Sequence, residues 1–128
     1  MKDPANPVCR TISTLLARIG DKWTVLVVTT LGEGPKRFNE LRREIPSVSQ
    51  RMLTLTLRNL ERDGLVSRTV TPSIPPRVDY ALTDLGRSLL DPVNALAQWA
   101  LDNVETIHAA HGRFDAEQER DGSRAQAA

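Results

Sequence analysis

The sequence predicts a mainly α fold with a small β-hairpin (α+β), arranged as a winged helix-turn-helix flanked by N- and C-terminal helices. Three observations predict it. Two short amphipathic helical patterns are broken at Pro46, two short strand patterns then flank a segment holding Pro72, Pro75 and Pro76, and an apolar stripe at helical spacing runs from Leu85 to Ile107. A helix pair closed by a hairpin places its second helix in a DNA major groove, with the hairpin beside it as a wing.

Each element has its own signal. Residues 1–8 carry Pro4 and Pro7 and read as a flexible arm. Ile12, Leu15, Leu16 and Ile19 repeat at i, i+3, i+4 and i+7, which predicts a helix over 10–19 ended by Gly20. Asp21 suits the N-cap of a helix over 22–31, and Gly32 and Gly34 before Pro35 stop it. Val25, Val27 and Val28 give that stretch a strand-like composition, but its caps and helical neighbours favour a buried helix. Lys36 and Arg37 read as a brief edge strand. A helix over 38–44 follows with Phe38, Leu41 and Ile45 inward, and Pro46 forces its predecessor out of helical geometry.

Ser47 with Gln50 three residues on has capping-box spacing for a helix over 48–62, whose inward stripe is Met52, Leu53, Leu57 and Leu60. Asp63-Gly64 closes it. Strands over 65–70 and 78–82 make hairpin 65–82 the wing, its tip stiffened by prolines that fix φ and remove donors. Thr83 is the expected cap of one long helix over 83–111, kinked at Pro92. At ~1.5 Å rise per residue that helix is roughly 42 Å long, more than a small domain can cover, so its far half needs a partner. The domain is thus expected to span 9–111, with the charged, small-residue-rich stretch 112–128 as a disordered tail.

Composition narrows the function. At 128 residues, with 40% hydrophobic and 26% charged residues, the chain fits one globular domain. No apolar run is long enough for a membrane span and the first residues are too polar for a signal peptide, so the expected location is the cytoplasm and no membrane partner is expected. A lone Cys9 excludes an internal disulfide and is compatible with a reducing compartment. Net charge is only +1, but it is segregated. Eight bases face four acids over 36–68, whereas six acids face two bases over 101–121. A basic end of this kind is the electrostatic footprint of double-stranded DNA as partner, although solvated helix faces give the same count.

If the stripe of the 48–62 helix faces the core, Gln50, Arg51, Thr54, Leu55 and Arg58 point outward. Arg51 can bridge guanine O6 and N7 or grip a phosphate, Gln50 can pair with adenine, and Thr54 can reach a phosphate or base edge. Leu55 would meet a thymine methyl, or it is one of the single exposed leucines that carry no meaning. Ser47 and Ser49 with the first amides of the helix form a positive end suited to a phosphate. Lys36, Arg37, Arg42 and Arg43 are candidates for flanking backbone contacts. Arg77 at the base of the wing either reaches minor-groove phosphates or forms a salt bridge to Glu40 or Asp79.

In order and with family-like spacing, Ile19-Gly20-Asp21-Lys22-Trp23-Thr24, Gly34-Pro35-Lys36-Arg37-Phe38-Asn39-Glu40-Leu41 and Val48-Ser49-Gln50-Arg51-Met52-Leu53 resemble the HxlR family of winged-helix transcriptional regulators, within the MarR-like group. The resemblance continues through Leu57 to Val66, Pro75-Pro76-Arg77-Val78-Asp79-Tyr80 and Leu82 to Leu89, covering about residues 9–100. It implies a homodimer joined through the first and last helices, bound to a palindrome-like operator. Ile12, Leu15, Leu16, Val93, Leu96, Trp99, Ala100, Val104 and Ile107 are the expected dimerisation residues. Leucine at position 55, where the family usually carries a glutamine or other polar residue, departs from the pattern, so operator preference does not transfer.

Other chemistry has weaker support. Family members sense oxidants or electrophiles through a cysteine near the start of the first helix, and Cys9 lies close to that place, but Arg10 stands where the sensing pattern has proline. His108 and His111 share a helix face without a third ligand nearby in sequence, so no metal site and no cofactor is expected. Trp23 and Trp99 suit the helical core or the dimer junction, and a pocket between the 10–19, 22–31 and 83–111 helices would admit a small aromatic effector. No nucleophile with a base, phosphate loop or metal triad supports an enzyme. The alternatives kept open are a winged-helix protein–protein interaction module and a redox-sensing regulator acting through Cys9.

Overall fold

The computed structural model describes residues 5–127. Its elements are α1 (Pro7–Ile19), α2 (Lys22–Leu31), β1 (Lys36–Arg37), α3 (Phe38–Glu44), α4 (Gln50–Arg62), β2 (Val66–Thr71), β3 (Arg77–Leu82), α5 (Asp84–Ser88) and α6 (Leu90–Ala127). The three strands form one antiparallel sheet in the order β1-β3-β2, with Lys36 opposite Tyr80 and Val66 opposite Leu82. This is the predicted winged-helix arrangement. Residues 94–128 form a second unit, described separately below.

The core is assembled from short apolar contributions of nearly every element of the first unit. Val27, Val28 and Leu31 of α2, Leu41 of α3, and Leu53 and Leu60 of α4 are wholly buried, while Val66 and Leu82 bring in the base of the sheet. That enclosure explains why the β-branched α2 is a helix. Asp21 accepts from Thr24 N at 3.1 Å to start it, and the hydroxyls of Thr29 and Thr30 return to the carbonyls of Val25 and Leu26. Burying Val27, Val28 and Leu31 then outweighs the few tenths of a kcal/mol per residue that β-branching costs a helix.

The turn before α4 is made as expected but capped elsewhere. Ile45 leaves helical geometry at φ −121°, ψ 71° ahead of Pro46, and Val48 N donates to Ile45 O at 3.1 Å. The N-cap of α4 is Ser49, whose Oγ accepts from Met52 N at 3.0 Å, and the helix begins at Gln50 rather than at 48. Val48, 4% exposed, is drawn into the core instead and holds the chain extended up to Ser49. At the other end α4 closes in a Schellman motif. Leu65 N donates to Leu60 O at 2.9 Å and Gly64 N to Glu61 O at 3.1 Å, with Gly64 at φ +77°, where glycine alone is unstrained.

Several expectations are corrected. The first helix starts at Pro7, because Asn6 Oδ1 accepts from Val8 N and Cys9 N and proline is tolerated in a first turn; 1–4 of the expected arm lie outside the described residues. The expected single helix over 83–111 is two helices. Thr83 does cap the first, accepting from Gly86 N at 3.1 Å, but α5 ends after Ser88 and Pro92 falls in the first turn of α6, where its missing N–H costs no hydrogen bond. Leu85 is exposed and Gly86 is buried in its place, since the short α5 turns its small residue to the sheet. The stretch from 112 that was expected to be disordered continues α6 to Ala127, giving a 38-residue helix. Gly112 and Gly122 do not break it, because a glycine inside a helix costs only about 1 kcal/mol against alanine.

Gly86 packs so closely that a β-carbon there would collide with the carbonyl oxygen of Leu65 and stand 3.1 Å from Leu82 Cδ2. Gly86→Ala is therefore expected to destabilise the fold by about 1–3 kcal/mol, the range for overpacking a close contact, although alanine is the better helix former. Urea unfolding of the two proteins checks this, and an unchanged or raised midpoint would contradict the packing.

Candidate nucleic-acid interface

Leu53, Thr56, Leu57 and Leu60 fill the inner side of α4. Thr56, 4% exposed, occupies the place expected of Met52, which is 37% exposed. The outer side then carries Gln50, Arg51, Thr54, Leu55, Arg58 and Arg62, all exposed. None of Arg51, Arg58 and Arg62 forms an ion pair with a described residue. Three guanidinium groups on one face, without internal partners, are open to a polyanion.

The two flanks of that face differ. Thr54, Arg58 and Glu61 share a cleft of about 310 Å³ with Arg68 and Tyr80 of the hairpin. Sequence reasoning left Arg68 out of the interface, although strand alternation marks it. Arg68 lies two residues beyond the buried Val66, hence on the same face of β2 and further from the core, where it reaches the edge of α4. On the opposite flank Met52, Leu55, Thr56 and Asn59 line a groove with α1 and α2. Leu55, 51% exposed, therefore leans toward α1 and is not isolated on a polar face.

The remaining basic residues divide into committed and uncommitted groups. Lys36 Nζ lies 3.0 Å from Glu44 Oε2 and 3.3 Å from Glu33 Oε2. Its hydrogen bond to Glu44 is the main cause of an ammonium pKa above the ordinary lysine value, so Lys36 braces β1 against α3. Arg77 Nε donates to Asp79 Oδ2 at 3.0 Å, the second of its two expected arrangements, while its side chain stays half exposed. Arg42 and Arg43 are exposed and in no ion pair with a described residue. Arg37, Arg43 and Arg77 all line a hollow of about 1080 Å³ between the start of α3 and the proline-rich tip. The start of α3 is closed by Glu40, which accepts from Arg37 N at 3.1 Å. Ser47 is exposed and caps nothing.

Of the expected dimerisation residues in the first unit, Leu15 and Leu16 are exposed and Ile12 is half-buried. Val93 is 3% exposed within its own chain, so it is a core residue and not an open contact. In the second unit Leu96, Trp99, Ala100 and Val104 are exposed and Ile107 is half-buried. Phe114, in the stretch expected to be disordered, is an exposed apolar residue on the same helix. Trp23 packs against the core with Lys22 Nζ 4.5 Å from its ring centre. His108 and His111 lie with ring centres 6.3 Å apart, and no group of three or more potential metal ligands occurs among the described residues. Cys9 is buried, 6% exposed, and in no disulfide. Among the described residues no helix is long and apolar enough to cross a membrane.

Comparison with known proteins agrees with this geometry. Residues 18–108 match the HxlR-like helix-turn-helix family. An HTH-type transcriptional regulator of Methanothermobacter thermautotrophicus is 48% identical over 88 residues, covering 69% of this chain and 67% of that protein. The HTH-type transcriptional regulator YdeP of Bacillus subtilis is 42% identical over 107 residues, covering 81% and 84%. Among solved structures, the redox regulator HypR in its reduced form is similar with a TM-score of 0.71 and 42% identity, covering 77% of this chain and 98% of HypR.

The capping geometry moves the N-cap of α4 from Ser47, where the sequence spacing predicts it, to Ser49. Ser49→Ala removes the acceptor for Met52 N and is expected to cost about 1 kcal/mol of stability, whereas Ser47→Ala should stay within about 0.5 kcal/mol of the parent. Chemical denaturation of both variants checks the assignment, which the reverse order of stabilities would refute.

Proposed function

This chain belongs to the HxlR-like helix-turn-helix family, whose members are transcriptional regulators and not enzymes, and from that premise we propose that it binds a palindrome-like operator as a homodimer. In this reading α4 lies in the major groove and the β2–β3 hairpin is the wing. One observation carries it: Arg51 and Arg58 project from the outer face of a helix whose inner face is locked into the core, and neither has an internal ion partner. Gln50, Arg51, Thr54 and Arg58 are the base-reading and groove-lining residues. Ser49 with the first amides of α4, and Arg37, Arg42, Arg43 and Arg77, contact phosphates. Lys36 is a bracing residue in this reading, since its charge is already shared by two carboxylates.

The homodimer is supported by unpartnered apolar surface. Leu96, Trp99, Val104 and Phe114 are exposed along α6, a helix of roughly 57 Å at ~1.5 Å per residue, and Leu15 and Leu16 are exposed on α1. A second copy is the partner that buries such a stripe, and two-fold symmetry of the protein then dictates two-fold symmetry of the site. The competing protein-interaction reading fits less well, because the outer face of α4 is richer in arginine and polar groups than in the apolar anchors a protein interface centres on. A cytoplasmic location and control by a small effector belong to the same proposal.

Selection of bound duplexes from a random pool, followed by footprinting, tests the proposal. Two protected half-sites about one helical turn apart, roughly 34 Å, are expected, and a single asymmetric half-site would overturn it. Arg51→Ala should relax base preference at a cost of about 1–3 kcal/mol for a bidentate guanine contact. Arg77→Ala should weaken all sequences nearly equally and reduce the salt slope by about one unit. Uniform loss in both variants would remove Arg51 from the base-reading set.

Redox control through Cys9 is the alternative suggested by the similarity to the redox regulator HypR. A sensing thiol has to meet its oxidant, and Cys9 is buried in the first turn of α1. No second cysteine exists in the same chain to resolve a sulfenic acid, so a disulfide would have to join the two subunits. Cys9→Ser is accordingly expected to bind operator like the parent, and diamide should change the parent's affinity less than tenfold, about 1.4 kcal/mol. Gel-shift titration with and without diamide decides this; release of DNA by the treated parent but not by treated Cys9→Ser would establish the cysteine as a sensor.

A further inference from the structure

The groove between α1, α2 and α4 encloses about 680 Å³, a volume within the range of small-molecule sites. Ala17, Met52 and Leu55 give it apolar walls, and Arg18, Asp21 and Thr56 give it polar ones. Two of these polar groups lack what their surroundings would normally supply. Thr56 is 4% exposed, yet its hydroxyl has no hydrogen bond among the described residues, unlike Thr54, whose hydroxyl returns to Gln50 O at 2.8 Å. Its oxygen is not sealed from solvent and lines the groove, so its hydrogen-bonding capacity is directed at whatever occupies that space.

Charge points the same way. Arg18 is already neutralised by Asp63, with Nε 2.6 Å from Oδ2. Asp21 has no cationic partner among the described residues. Its Oδ2 accepts from Thr24 N at 3.1 Å and from Thr24 Oγ1 at 3.4 Å, which leaves Oδ1 available. Lys22, the neighbouring cation in sequence, is turned over the Trp23 ring instead. The groove's uncompensated charge is therefore negative.

From these features we infer that the groove is a binding site for a small organic cation: an ammonium group paired with Asp21, a hydrogen-bonding atom at Thr56, and an aromatic or aliphatic body against Met52 and Leu55. The inference gives the effector of the proposed regulator a place and a charge. It differs from the pocket expected from sequence in taking its third wall from the recognition helix itself. An occupant would touch Leu55 and Thr56 on the same helix that presents Arg51, so binding and the setting of α4 are mechanically joined.

The test uses the full chain without DNA, so that it is independent of the operator proposal. Tryptamine, indole and indole-3-acetate share one ring and differ in charge, and are titrated while amide shifts are followed by NMR. Tryptamine is expected to shift Ala17, Asp21, Leu55 and Thr56 and to bind at least fivefold more tightly than indole-3-acetate. Asp21→Asn keeps a competent N-cap for α2 but removes the charge, and should abolish that preference. Thr56→Val removes the hydroxyl at nearly constant shape; it should weaken tryptamine severalfold while leaving the urea midpoint unchanged or raised. Equal affinity for the three probes, shifts confined to other surfaces, or a preference retained in Asp21→Asn would each overturn the site. Groove amides that ignore every probe but move with protein concentration would overturn it too, by showing a second copy in that place.

Discussion

The joint between α4 and the hairpin, at Asp63, Gly64 and Leu65, is the constraint on which the rest of the structure depends. Four independent contacts converge there. The Schellman bonds reverse the chain, Thr83 Oγ1 donates to Gly64 O at 2.6 Å, Thr83 N donates to Leu65 O at 3.1 Å, and Arg18 of α1 pairs with Asp63 at 2.6 Å. Gly86 closes the remaining space against the Leu65 carbonyl. A groove-reading helix has to be held relative to its wing to within a fraction of an ångström for both to meet one duplex, and the helix end is where such control is cheapest, because its carbonyls need partners in any case. The same joint ties α4 to α1 through a pair that is mostly shielded from water, where losing one partner would leave an uncompensated charge.

Around this joint the basic residues separate by whether the fold has already used them. Lys36 and Arg18 join separate elements through Glu33, Glu44 and Asp63, whereas Arg77 pairs with Asp79 within β3 and keeps its side chain half exposed. Arg42, Arg43, Arg51, Arg58, Arg62 and Arg68 have no such partner among the described residues. A nearly neutral chain can thus present a concentrated positive surface, because its acids neutralise the structural cations or gather on α6, leaving these arginines unpaired among the described residues.

Elements governed by local chemistry were legible from sequence. The bounds of α2 and α3, the break at Pro46 and the cap at Thr83 all follow from side chains that act on backbone within four residues. The outward placement of Gln50, Arg51, Thr54 and Arg58 on α4 was legible for the same reason, since helical periodicity assigns faces once Leu53, Leu57 and Leu60 are recognised as core. The errors occur where two local solutions were equally good. Ser47 and Ser49 are both plausible caps, and only the burial of Val48 between them chooses. Met52 and Thr56 lie four residues apart on the same border of the apolar stripe, and Thr56, the nearer to its centre, is the one that packing buries.

By itself, the sequence determined that this is a winged helix-turn-helix with a basic outer face on α4, because the periodicities of 3.6 and 2 and the cap and breaker residues are properties of short segments. Tertiary structure alone decided which cations remain open, since an ion pair such as Lys36 with Glu44 or Arg18 with Asp63 joins residues on different elements. It alone placed Arg68 beside Arg58, gave Leu55 a groove to line and buried Val93. Those outcomes depend on where elements distant in sequence come to rest, and side-chain patterns constrain a neighbour four residues away far more tightly than one forty-five residues away.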